Sequence, residues 1–455
     1  MAVHPLPAIR RAPGPKSLPL IGVLPQVRRD PLAFVMQTRA AYGDVVNYRL
    51  GPLNSFLISH PDGVRQVLQE NVKNYTKDHF SYGMVRWIAG NGLLTSRGDF
   101  WLRQRRLAQP AFHRQRIAAM GANMVAATRE LADEWQPAAE NGHVLDIGSQ
   151  MMGLTLRIVS DALFGSRVPQ AKIVDGAFNE LSAQLVDRFR RFNIIPPVLP
   201  TAYDRRFRAA ISALDGVVYA IIAERRASGE DRGDLLSMLM QTRDEDTGET
   251  MNDRQLRDEV LTMLLAGHET TATTLSWVWA MLDQHPDVAA RLHAEVDALG
   301  DRPVTAEDLP RLAYTRMVID ETTRLYPPVY IFSRKVAEED QIGGYRIPAG
   351  SSVDISPYAT HRHPDFWENP EAFDPERFSV ERSAARPRFA YFPFSGGPRQ
   401  CIGNSFALME AQLILATLAQ RYRLRLQPGH TLTPDPLITL RPRGGLPMQV
   451  VLRTR

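Results

Sequence analysis

The period of apolar and polar positions changes several times along the chain. Residues 45–50 and 55–59 are apolar-rich, with β-branched and aromatic members, and Gly51, Pro52, Leu53 and Asn54 lie between them. This reads as a β-hairpin with a four-residue turn. From about residue 100 the period becomes helical. A basic helix over residues 103–108 stops at Pro110, and residues 117–136 and 149–164 repeat apolar side chains every three or four positions. Residues 192–200 break that period yet stay apolar, which predicts a loop between two long helices that lids an apolar cavity. The longest helical run starts at Asn252 or Asp253 and ends at His285-Pro286. At 1.5 Å per residue it is roughly 50 Å long, and being apolar on nearly all sides it should be buried. Strand patterns return near 341–356 and from about 421 to the end.

Neither a repeat nor a low-complexity linker divides these elements. The expectation is one domain over residues 1–455, mainly α with small β-sheets (α+β), with a Pro-rich segment at 1–25 and β-rich parts at about 44–60, 341–356 and 421–455. Composition narrows the class. At 44% hydrophobic and 23% charged, the 455 residues suit a globular core rather than a disordered or fibrous chain. One cysteine rules out a disulfide framework and any multi-cysteine zinc or iron–sulfur site. The net charge of +4 comes from five Lys and 49 Arg spread among the acids, a compositional bias that predicts no nucleic-acid partner. No apolar run reaches eighteen residues and residues 1–11 lack a signal-peptide core, so the expectations are no membrane span and a cytoplasmic location.

The chemistry concentrates around Cys401. The segment from Phe394 to Gly403 carries glycines at 396, 397 and 403, a cation at Arg399, and then a helix from about Asn404 to Arg421. A thiolate just before a helix N-terminus is stabilised by free backbone N–H groups and the helix dipole. The glycines let the backbone turn sharply and approach a flat body closely. Cys401 is on this reading alone either a special ligand or a structural cysteine in a Gly-rich turn. Mid-way along the long helix, Ala266-Gly267-His268-Glu269-Thr270-Thr271 sets an acid and two threonines in an apolar stretch, a costly placement unless they have partners. Threonine hydroxyls can bond back to the i−4 carbonyl and open a groove there. Further on, Glu321 and Arg324 share a helix face, and Arg377 follows in Phe373-Asp374-Pro375-Glu376-Arg377-Phe378. Upstream, Trp101 and Arg105 stand four residues apart.

The pattern F-x-x-G-x-R-x-C-x-G at residues 394–403 matches at every fixed position and resembles the haem-binding loop of the cytochrome P-450 (haem-thiolate monooxygenase) family, in its soluble bacterial form. The other three motifs resemble that family's too, so the likeness runs essentially the whole chain. It implies a triangular, mainly α prism with haem b between the long helix and the cysteine loop. Cys401 would be the axial ligand of the haem iron, with Ala266, Phe394 and Gly403 also against the haem. Trp101, Arg105, Arg334 and Arg399 would meet its propionates, Thr270 would be the dioxygen-side alcohol and Glu269 the acid behind it. His268 stands at the variable position of that motif. Glu321, Arg324 and Arg377 would form a structural triad.

The resemblance further implies dioxygen as co-substrate, and NAD(P)H electrons arriving only indirectly, through a separate ferredoxin and its reductase. Thiolate ligation favours O–O cleavage, so the activity would be hydroxylation or epoxidation of a hydrophobic small molecule by a monomeric enzyme. By position the pocket draws on Phe80, Tyr82, Met84, Trp87 and Ile88. It adds Met263 and Ala266, then Val329, Ile331 and Phe332, and finally Leu437 and Ile438. These apolar side chains suit a fatty acid, terpenoid or steroid. Arg103, Arg105, Arg106, Arg386 and Arg388 form a candidate docking patch for an acidic electron carrier. A peroxide-using peroxygenase and a non-catalytic haem sensor or carrier are the rival classes.

Overall fold

The computed structural model describes residues 10–165, 171–191, 195–244, 246 and 248–453, the side chains of 171, 172, 175, 189 and 190 excepted. Its contacts fall into two compact units, each assembled from several stretches of chain.

The first unit comprises residues 1–81, 329–372 and 383–401. Its centre is a five-stranded sheet in the order Val45–Leu50, Leu53–Ile58, Ser352–Ile355, Phe332–Val336, Tyr75–Thr76. The expected hairpin forms, but Leu50 pairs with Leu53, so its turn is two residues and not four. Gly51 at φ +60° supplies the left-handed backbone that so tight a reversal needs. The pairing of Leu53–Ile58 with Ser352–Ile355 is parallel and joins segments some three hundred residues apart. Val45, Phe56, Ile58, Val336, Val353 and Ile355 bury one core on this sheet. Val46, Tyr48, Leu57 and Phe34 bury a second on its other face. Asp354 is buried and satisfied by the hydroxyls of Tyr48, at 2.6 Å, Ser333 and Ser352.

The second unit comprises residues 82–328, 373–382 and 402–455. The long helix runs Asp253–Gln284 and starts at Asn252, whose side chain accepts from the Gln255 N–H while the Gln255 side chain accepts from Asn252 in return. It packs along Ile147–Phe164 and against Ala313–Leu325 and Asn404–Ala419. The basic helix spans Gly98–Ala108 and gives way to a 3-10 turn at Pro110. The apolar repeats at 117–136 and 149–164 lie within Arg114–Glu140 and Ile147–Phe164. A three-stranded sheet, Val144–Asp146, Pro447–Leu452, Tyr422–Leu426, and the pair Pro434–Pro436 with Leu440–Pro442 complete the unit.

Residues 192–194 of the expected lid lie outside the described residues. The remainder does join the helices Ala171–Arg191 and Ala202–Ser228, but Ile195, Val198 and Leu199 face solvent instead of covering a cavity. What ties it down is polar. Buried Arg188 pairs with Asp204 and donates to the Ile195 carbonyl at 2.9 Å, and Asp204 accepts the Leu199 N–H at 2.9 Å.

Candidate active site

In the first unit, the loop before Cys401 is folded tightly on itself. Ser395 and Gly397 both adopt positive φ, a 3-10 turn spans Gly397–Arg399, and the Cys401 N–H closes the loop onto the Phe394 carbonyl at 3.0 Å. The sharp turn expected of the glycines is present, with Gly397 at φ +64°. A Cβ on Gly397 would come within 1.8 Å of the Leu68 carbonyl oxygen, and one on Gly396 within 2.4 Å of the Phe389 ring. The two glycines thus also let the loop pack closely on those segments. Cys401 itself is exposed, three residues before the helix Asn404–Ala419. Gly403 is the residue preceding that helix, where a Cβ would meet only the Phe112 ring at 3.8 Å.

Arg334 sits on the central sheet, 4% exposed, donating to the Ser333 carbonyl at 2.9 Å with its guanidinium 5.0 Å from the Phe332 ring. Half-buried Arg399 is on the cysteine loop. Of the pocket candidates here, Ile331 and Phe332 pack against the two sheet cores, Val329 is exposed and Phe80 is half-buried.

In the second unit, one interruption marks the long helix. Ala266 is exposed and Gly267 and Thr270 are partly so, while Leu265, His268, Glu269 and Thr271 around them are buried. An apolar helix centre that opens to accessible space only on this side presents a binding face there. Thr270 Oγ1 donates to the Ala266 carbonyl at 2.9 Å, the back-bond expected of a groove. Thr155 from the neighbouring helix donates to the His268 carbonyl at 2.9 Å and supports the opening.

His268 points away from that face. Its Nδ1 is 2.7 Å from the Leu264 carbonyl, its ring meets Phe178 edge-on, and burial pushes its pKa down. Glu269, 2% exposed, accepts from the Thr439 hydroxyl at 2.6 Å and pairs with Arg441, whose Nε is 3.1 Å away. Nothing in the local pattern pointed to Arg441. A buried acid demands a cation, but sequence does not say which of 49 arginines supplies it.

Trp101 and Arg105 are half-buried on Gly98–Ala108. On the same helix the docking expectation needs correction. Arg103 pairs with Glu249 at 2.8 Å, and Arg106 with Asp244 at 3.0 Å and Asp246 at 2.5 Å, so these charges are neutralised by the 244–249 loop. Arg386 lies over the Trp367 ring at 4.0 Å and Arg388 is exposed.

The triad assembles. Glu321 and Arg324, both fully buried, share two hydrogen bonds of 2.6 and 2.8 Å, and Arg377 Nε stands 3.3 Å from Glu321 Oε1. The Asp374 N–H adds a further bond to the same oxygen at 2.9 Å.

Among the pocket candidates of this unit, Met84, Ile88 and Met263 are buried, and Tyr82, Leu437 and Ile438 are half-buried. The Trp87 ring lies 5.5 Å from the Arg188 guanidinium. Sequence reading also missed three acids. Asp258 accepts the Asn91 N–H at 2.8 Å, Glu259 accepts the Leu93 N–H at 3.0 Å, and Glu410 is fully buried on Asn404–Ala419. Burial pushes the Glu259 and Glu410 carboxyls up to about 8.

The first unit offers an exposed single thiol and the guanidiniums of Arg334 and Arg399, and the second an apolar helix opened at one stretch; each by itself is a feature that a thiolate-ligated haem protein uses. The family model described as Cytochrome P450 matches residues 12–446, and the chain belongs to the cytochrome P450 family. It is 40% identical over 443 residues to "Cyclooctatin synthase" of Streptomyces melanosporofaciens, covering 95% of this chain and 94% of that one. It is 41% identical to "Cyclooctat-9-en-7-ol 5-monooxygenase" of the same organism, covering 92% and 90%. "Pentalenene oxygenase" of Streptomyces avermitilis is 36% identical, covering 97% of each. The crystal structure of the cytochrome P450DA heme domain superposes with a TM-score of 0.90 at 28% identity, covering 98% of each chain.

The protein is therefore a P450 monooxygenase of the P450 fold. Its cofactor is haem b, its co-substrate dioxygen, and its electrons come from NAD(P)H through redox partners. Among the described residues no helix is long and apolar enough to cross a membrane.

Proposed function

We propose that this enzyme hydroxylates a cyclic terpenoid, taking electrons from a ferredoxin and its reductase, and that it works as a cytoplasmic monomer. The observation that carries the substrate class is the near full-length identity of 41% to a monooxygenase named for cyclooctat-9-en-7-ol, with a pentalenene oxygenase also matching end to end. The apolar flanks of the open helix face, Met263 and Leu265, favour such a hydrophobic substrate.

Cys401 ligates the metal, and Trp101, Arg105, Arg334 and Arg399 hold the carboxylates of the macrocycle. Haem, once bound, supplies dioxygen activation and transfer of one oxygen atom to carbon. The balance is R–H + O2 + 2e⁻ + 2H⁺ → R–OH + H2O. The chain's own part is to deliver the two protons and exclude others. Thr270 Oγ1 turns from the Ala266 carbonyl to donate into the open groove. Glu269 re-protonates it, and Arg441, 30% exposed, links that acid to solvent.

The deciding experiment is the spectrum of the reduced carbon-monoxide complex, followed by turnover of a cyclic terpene with ferredoxin, reductase and NAD(P)H. A strongly red-shifted Soret band and a hydroxylated product are expected. Cys401→Ala should abolish that band, since the chain has no other cysteine. A band that persists in the variant sinks the ligand assignment, and turnover driven by peroxide alone sinks the monooxygenase route.

A further inference from the structure

The connection between helices Ala171–Arg191 and Ala202–Ser228 turns apolar side chains to the outside. Ile195 is 53% exposed, Val198 70% and Leu199 47%, with exposed Pro196 and Pro200 beside them. The turn at the other end of Ala202–Ser228 is of the opposite kind: Gly229-Glu230-Asp231-Arg232-Gly233 exposes charge and no large apolar side chain.

An exposed loop ordinarily leaves much of its backbone to water. This one does not. Five of the six carbonyls from Ile195 to Pro200 accept a hydrogen bond from the protein itself. Arg188 donates to the Ile195 carbonyl, Arg208 to those of Pro197, at 2.7 Å, and Leu199, at 3.2 Å, and Arg205 to that of Pro200, at 2.7 Å. The Val198 N–H donates to the Pro196 carbonyl at 2.8 Å, and the Leu199 N–H to Asp204. The prolines at 196, 197 and 200 have no N–H to satisfy. Guanidiniums thus take the polar backbone inward and leave an apolar outer surface. A medium poor in water demands that division, because an unpaired backbone group is costly there.

The charges indicate which medium. Arg205 and Arg208 lie one turn apart on the helix that follows the loop, both exposed, and among the described residues neither pairs with a carboxylate. Their neighbours do: Arg191 pairs with Asp187 and Arg206 with Glu180. Arg205 also stands close to the start of its helix, at the positive end of the helix dipole, where a cation is disfavoured. Positive charge kept at that place calls for an anionic surface outside the chain.

We propose that residues 195–200 dock on the surface of an anionic phospholipid bilayer. Ile195, Val198 and Leu199 enter the boundary between headgroups and acyl chains, and Arg205 and Arg208 meet the phosphates. The contact is peripheral: the segment lies on the membrane and does not cross it. Shallow apolar insertion and attraction of cations to anionic lipid add, and together hold a protein reversibly. The inference goes beyond the oxidation chemistry and does not depend on the substrate.

The test is co-sedimentation of the haem-loaded enzyme with sucrose-loaded vesicles of phosphatidylcholine, alone or with about 30% phosphatidylglycerol. At low salt the wild type should bind the anionic vesicles about tenfold or more tightly than the neutral ones, and about 1 M salt should remove most of that excess. Val198→Asp combined with Leu199→Asp should weaken binding to anionic vesicles about tenfold or more. Arg205→Gln combined with Arg208→Gln should erase the preference between the two compositions. Val198→Trp should bind more tightly than wild type, since an indole settles at the membrane–water boundary. Melting curves beside wild type separate loss of docking from loss of fold.

Wild type that sediments with neither vesicle overturns the inference, and a concentration-dependent dimer that Val198→Asp dissociates would assign the loop to a second copy of this chain instead. Binding left unchanged by both the aspartates and Val198→Trp overturns the loop as the docking element. Equal binding of wild type to both compositions overturns the assignment to anionic lipid.

Discussion

Glu321 and Glu269 are both buried carboxylates paired with arginine in the same unit, yet the arginines differ in their access to water. Glu321 is held by two bonds from Arg324, by Arg377 and by the Asp374 N–H, and neither member of the Glu321–Arg324 pair has any exposure. Both carboxylate oxygens are engaged, and the pair itself has no contact with solvent. Glu269 instead faces Arg441, which is 30% exposed, and it neighbours the open stretch in the middle of the long helix. The first arrangement fits a structural tie and the second a proton relay. Composition is the same in both; connection to solvent separates them.

The largest effect that would break this contrast is expected at Glu321. Glu321→Gln removes the carboxylate charge that faces two buried guanidiniums, and losing one partner of a buried pair costs about 3–5 kcal/mol. Urea unfolding should show the loss directly, with haem content falling alongside. Normal stability would place Glu321 outside the structural class.

Next comes the groove. Thr270→Ala and Glu269→Gln should still bind substrate and consume NAD(P)H, but product per oxygen should fall about tenfold or more, with peroxide in its place. Product and peroxide measured beside wild type settle it. A ratio that stays put while the melting temperature drops would make Glu269 a second Glu321.

A smaller effect is expected at Glu410, a buried carboxyl whose only opposing influence is the Thr271 hydroxyl. Its folded pKa of about 8 exceeds the ordinary 4.5. Between those values the unfolded chain has released a proton that the folded chain keeps, so stability falls as pH rises through that window. Glu410→Gln removes this slope. Its melting temperature relative to wild type should be higher at pH 8 than at pH 5 by ~2–4 °C; parallel curves would show the carboxyl to be ionised in the fold.

The smallest effect is expected on the arginine-rich helix. Because Arg106 is engaged by Asp244 and Asp246, Arg106→Glu should change reduction by ferredoxin by no more than about twofold, even at low salt where surface charge counts most. A large, salt-sensitive slowing would restore the docking patch.

What could be read from the chain was what neighbours in sequence dictate. The long helix, its Asn252 cap, the cysteine loop and the Glu321–Arg324 pair all depend on residues within a few positions of one another. Arg377 was reachable through its motif. The rest depends on distance in sequence. Arg441 meets Glu269 from 172 residues away, and the two-residue strand Tyr75–Thr76 is a strand because it pairs with Phe332–Val336, some 260 residues on. The glycines at 396 and 397 were read as permitting a sharp turn, but the atoms that leave no room for a side chain there, on Leu68 and Phe389, lie in other segments.

The parallel pairing of Leu53–Ile58 with Ser352–Ile355 also bears on how the protein is made. The N-terminal hairpin leaves the ribosome with one edge unpaired, and the strand that covers it is synthesised almost three hundred residues later. At the usual pace of translation that interval is roughly 15–60 s. Throughout it, an apolar strand edge is available to any other chain. The cysteine loop, which packs on Leu68 and Phe389, closes later still. On the proposed ligation, haem capture at Cys401 is a late event in biogenesis, and a nascent chain that stalls before residue 355 keeps that strand edge uncovered.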